Sequence, residues 1–128
     1  MTIEEAEQKK RDLMEEIKNL SKFISQEKTK ENLSSLEYGK YYKCQNSNTI
    51  TYFQYTESCK YNESELAGSS LTVDRYIEVI LTRMYFTTSF GNHGIIFMGD
   101  NSSFEGITKE EFKEVFEDAI TNCKRMIE

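Results

Sequence analysis

The amino-acid sequence predicts an α+β fold: an N-terminal heptad-patterned helix, an antiparallel β-sheet of about four strands, and a C-terminal amphipathic helix. Three observations predict it. Apolar residues recur at alternating steps of three and four over residues 3–24, tyrosine and β-branched residues crowd the middle, and a capping motif opens a final helical period. With 128 residues and no proline-rich or glycine-rich joint, 1–128 reads as one domain. Its parts are a helix over 1–31 that is able to project, a β region over 38–99, and a helix over 108–127.

The first helix begins at a capping box, Thr2 with Glu5. Its seam is Ile3, Ala6, Leu13, Ile17, Leu20 and Ile24, with Lys10 interrupting; these are a and d positions of a heptad. Glu7 and Lys9 take e and g, Glu16 is another g, and Met14 and Phe23 widen the stripe. Three heptads are marginal for an isolated coiled coil. Two uses stay open: packing within the domain, or an oligomer seam at Ile3, Leu13, Ile17, Leu20 and Ile24. The stripe fails at Glu27 and Glu31, and KTKENLSSLEYG reads as a frayed end and linker.

GKYYKC and NTITYFQYTE, separated by the turn-forming Gln45-Asn46-Ser47, predict a β-hairpin. CKYNESELAGSS, polar with a glycine, reads as a loop that leaves room for a strand start. LTVDRYIEVILTRMYFTTSF, residues 71–90, fits a helical face at Val73, Tyr76, Ile77, Ile80, Leu81 and Met84, but its β-branched and aromatic density predicts one long bent strand. GNHG followed by IIFM predicts a hairpin turn and a return strand.

DNSSFEGITKEEF, residues 100–112, imitates a calcium loop. With Asp100 first, Phe104 takes the fifth position and Gly106 the seventh; with Asn101 first, Phe112 falls where the bidentate glutamate belongs. Neither register fits. Thr108 with Glu111 makes a capping box and Ile107 with Phe112 a hydrophobic staple, so the stretch predicts a helix start. Phe112, Val115, Phe116, Ala119, Ile120, Cys123 and Ile127 then mark one face.

Charge and cysteines restrict function. The net charge is −6, and residues 100–128 hold 8 acids against 4 bases, the reverse of a surface that grips phosphates. Direct nucleic-acid binding is disfavoured. No apolar run approaches the roughly 18 residues a spanning helix needs, so no membrane partner is expected. The N-terminus has no apolar signal region, which makes the sequons at Asn32, Asn62 and Asn101 chance matches. Cys44, Cys59 and Cys123 are odd in number and lack CxxC spacing, which indicates free thiols in a reducing, cytoplasmic setting.

No enzyme is expected. His93, the single histidine, stands between turn residues; a triad of it with Asp74 and Ser89 or Cys59 has no local motif. No phosphate loop, dinucleotide fingerprint or zinc motif occurs, and neither cofactor nor metal is expected. Binding is the better class. Tyr41, Tyr52 and Tyr55 lie in the hairpin region, where strand alternation leaves some tyrosines exposed for a protein partner, or, with Lys43, for single-stranded bases.

A charged helix, a hairpin beginning GKYYK and a closing ITKEEFKEVFEDAI together resemble small accessory proteins of phages and mobile elements, including the inhibitors of bacterial defence nucleases called anti-CRISPRs. The likeness is one of style. It implies a stoichiometric inhibitor in a bacterial cytoplasm, bound to a nuclease or a nuclease–guide RNA complex. Glu110, Glu111, Glu114, Glu117 and Asp118 would then face the target's basic channel. The rival is a structural or assembly protein that forms a homo-oligomer through the N-terminal heptads.

Overall fold

The computed structural model describes residues 1–46, 48–64, 68–81, 86–98 and 102–127. The first helix, α1, runs Ile3–Ser34, and the Thr2 hydroxyl accepts the Glu5 N–H at 3.1 Å to cap it. It is ten residues longer than the heptads predict, because a second apolar face takes over. Thr29 and Leu36 are buried and Leu33 packs on the core, at the i, i+4, i+7 spacing of one helix face. The segment read as frayed end and linker is therefore the part of α1 that anchors it.

Among the described residues eight strands follow: β1 (Tyr41–Gln45), β2 (Thr49–Gln54), β3 (Lys60–Ser64), β4 (Gly68–Val73), β5 (Tyr76–Leu81), β6 (Phe86–Gly91), β7 (Gly94–Met98) and β8 (Ser103–Ile107). The α+β class and the order helix, sheet, helix hold, while the expected four or so strands are eight in two sheets. The larger sheet has the order β6-β5-β2-β1-β8 and the smaller β3-β4-β7, with every pairing antiparallel.

The chain changes sheets within segments that read as one strand or as a turn. Residues 71–90 are not one bent strand: β4 ends at Val73, bends at Asp74–Arg75, and resumes as β5 in the other sheet. GNHG is not a hairpin turn either, because β6 pairs with β5 whereas β7 pairs with β4. The loop expected at 59–70 contains β3 and the start of β4, and SFEGI, beyond the expected β region, is edge strand β8 beside β1. Asp100 and Asn101 lie outside the described residues.

The inner faces of the two sheets enclose the core: Tyr42, Cys44 and Phe53 from one, Leu71, Val73, Ile96 and Met98 from the other, closed by Leu36. Tyr42 also accepts the Glu37 N–H at 2.8 Å, which ties the turn after α1 to the core. The second helix, α2 (Lys109–Ile127), starts at Thr108, whose hydroxyl accepts the Glu111 N–H at 3.1 Å. It covers the outer face of the larger sheet at β5 and β6, with Ala119 and Ile77 buried.

Candidate interaction surface

Every residue from Met1 to Ile24 is exposed. That includes Ile3 at 79%, Leu13 at 49%, Ile17 at 62%, Leu20 at 56% and Ile24 at 48% of their full accessibility, flanked by Met14 and Phe23. Packing within the domain therefore does not explain the heptads. The reason is geometric. On a helix of 3.6 residues per turn, the a/d seam points roughly 160° away from the face of Thr29, Leu33 and Leu36 that grips the domain. The seam is held out along a rod that extends about 33 Å for its first 22 residues. Single exposed apolar residues are ordinary, whereas Leu13, Ile17, Leu20 and Ile24 stand exposed together on one helix face, the kind of patch that interaction surfaces present.

The five acidic candidates, Glu110, Glu111, Glu114, Glu117 and Asp118, are all exposed. Three-and-four spacing places them on one arc of α2, opposite the face of Phe112, Val115 and Ala119. This arrangement is a solvated charged band at the edge of the molecule, remote in sequence from the α1 stripe.

The tyrosines do not make one platform. Tyr41 and Tyr52 lie on the outer face of the larger sheet, as the register Tyr41↔Gln54 and Lys43↔Tyr52 requires. Tyr41 is half-buried with its ring 4.8 Å from that of Phe112, so it joins sheet to α2. Tyr55 packs toward the core and stacks on Tyr38, centroids 5.1 Å apart and planes 9° from parallel. Partial burial raises its phenol pKa, helped by the neighbouring Tyr38. Stacking of a base on Tyr41 would compete with its contact to Phe112.

Of the residues considered for catalysis, Asp74 and Cys59 both lie beside Thr56. His93 is exposed in the link between the sheets. Asp74 accepts from the Thr56 hydroxyl at 3.3 Å, which joins two sheet-crossing loops, and Thr56 lies beside the Cys59 thiol. The Ser89 side chain lies outside the described residues. Cys44 is buried in the core, where desolvation pushes its thiol up to about 11 and keeps it neutral.

One signal in the sequence could have located the anchoring end of α1. Thr29, Leu33 and Leu36 repeat at helical spacing immediately after the heptads stop. A pocket of about 300 Å³ lies where α2 meets the sheet, between Tyr76, Ile77, Phe112 and Phe116, and its lining is apolar. Among the described residues, no helix is long and apolar enough to cross a membrane. Comparison of the chain with protein-family models, with curated proteins and with solved structures finds no match.

Proposed function

We propose that this chain is a non-enzymatic protein-binding module whose α1 helix assembles it with a second copy of itself. The observation that carries this reading is the seam of Ile3, Leu13, Ile17, Leu20 and Ile24, exposed along its whole length on a helix anchored by its opposite face. Charge agrees: residues 1–31 carry 8 acids and 7 bases, so two copies of α1 meet without large repulsion, whereas two α2 faces would repel.

The test is Leu13→Asp/Ile17→Asp, read by light-scattering mass and by thermal melting. Both positions are exposed, so the unfolding free energy of the sheet domain should stay within about 0.5 kcal/mol of the unmodified monomer's. Self-association weakens by at least about 1000-fold, since charge replaces apolar burial at four sites of a dimer. Loss of the fold itself would instead place these residues in the monomer's core.

A second reading is a stoichiometric inhibitor of a defence nuclease that acts through the acidic band on α2. It draws on the five carboxylates sharing one exposed arc. Glu114→Lys/Glu117→Lys separates the two: it abolishes nuclease binding if that band is the contact and leaves α1 assembly intact.

A further inference from the structure

We infer that the second copy lies antiparallel on α1, in the one register where Leu13 faces Ile24, Ile17 faces Leu20 and Lys10 faces Glu27 of the other chain. This rests on the self-assembly proposed above and specifies its geometry.

Two helices with one apolar seam can pair in either direction. In a parallel, in-register pair each seam residue meets its own copy. Lys10 would then face Lys10, Glu27 would face Glu27, and Glu31 would face Glu31, giving three like-charged layers around a short apolar centre. The flanking g and e positions offer no compensation. Lys9 would stand beside Met14, Glu16 beside Ser21, and Phe23 beside Lys28, and none of these pairs opposite charges.

Turning one helix end for end changes every layer. A two-fold axis between Lys18 and Asn19 makes the contact isologous, so each pairing occurs twice. The four apolar layers of residues 13–24 then meet only apolar residues, and they are closed at both ends by a Lys10–Glu27 pair of opposite sign. Along the flanks Glu7 comes beside Lys28 and Lys9 beside Lys30; these attractive and repulsive pairs offset one another. Orientation is decided at Lys10.

Two independent features select the same register. The first is length: when Lys10 faces Glu27, Ile3 faces Ser34, and these are the first and last residues of α1, so the helices overlap end to end. The second is access. Glu27 and Glu31 are exposed on the seam while Thr29, Leu33 and Leu36 are turned into the domain, so the partner's N-terminal turns can run along this end of α1. Within its own helix Glu27 has only an exposed contact with Lys30 at 3.5 Å. Sliding by one heptad fails either way: it sets Lys10 against Leu20 and Ile3 against Glu27, or Ile17 against Glu27.

The test is charge reversal in the full chain, with the dissociation constant measured by sedimentation equilibrium. Lys10→Glu and Glu27→Lys should each weaken the dimer by about tenfold or more, because two attractive layers become like-charged. The double variant K10E/E27K should return to within about threefold of the unmodified chain, since the pairs are restored with their signs exchanged. In a parallel dimer K10E merely replaces one like-charged layer by another. An unchanged dissociation constant for K10E, or a double variant no tighter than the singles, would overturn the antiparallel register while self-assembly stood. A monomeric unmodified chain would overturn both. Both substituted positions are exposed and outside the sheet core, and circular dichroism of each variant serves as the check that the fold is unchanged.

Discussion

Gly94 stands where a side chain has no room: a Cβ there would lie 2.6 Å from Cε1 and 2.7 Å from Cζ of Tyr76. The ring sits against the link that carries the chain from β6 in one sheet to β7 in the other. Gly94→Ala must push that ring off the crossing, and it should lower the unfolding free energy by about 1–3 kcal/mol in denaturant titration. Gly39 is needed for a different reason. Its φ of 84° is left-handed, in the turn where its N–H donates to the Tyr55 carbonyl at 2.7 Å. The sequence marks both positions as breaks, but glycine alone does not say whether the chain turns back beside itself or crosses to another sheet. That distinction depends on Tyr76, which is distant in sequence from Gly94.

Two threonine caps of the same design make different predictions at the level of the element. Thr108 caps α2, which covers buried Ile77 and Ala119, so its loss is transmitted to the domain. Thr108→Ala should cost about 1 kcal/mol of global stability. Thr2 caps a helical end whose residues are all exposed, and Thr2→Ala should leave the domain's unfolding midpoint unchanged while weakening self-association by a fewfold. Both helix starts were legible, because a cap and its period are local. Strand pairing was not. Val73 and Tyr76 belong to different sheets with only Asp74 and Arg75 between them, and no glycine or proline marks the change. β8 was hidden because SFEGI borrows its pairing from β1, almost sixty residues away, as tyrosine-rich β1 borrows from β2 and β8 together.

For the whole molecule, the informative feature is an α1 helix used in two halves. Its C-terminal third is bound into the core by Thr29, Leu33 and Leu36, and its N-terminal two-thirds carry an apolar seam on the opposite face. The seam itself was legible in the heptads. Its exposure was not, since a period shows that residues share a face but not what that face meets. Among the other candidates, the acidic band could be placed on one arc from spacing alone. The tyrosines could be assigned to faces, but not recognised as internal contacts with Phe112 and Tyr38.

In the proposed assembly, the part of α1 that is not packed on the domain is completed by another copy. Sedimentation equilibrium of the unmodified chain, from micromolar to near-millimolar concentration, tests this most directly. A reversible rise from the 15.0 kDa of one chain to twice that mass, and no further, is the expected result. A mass fixed at one chain throughout the range would contradict it.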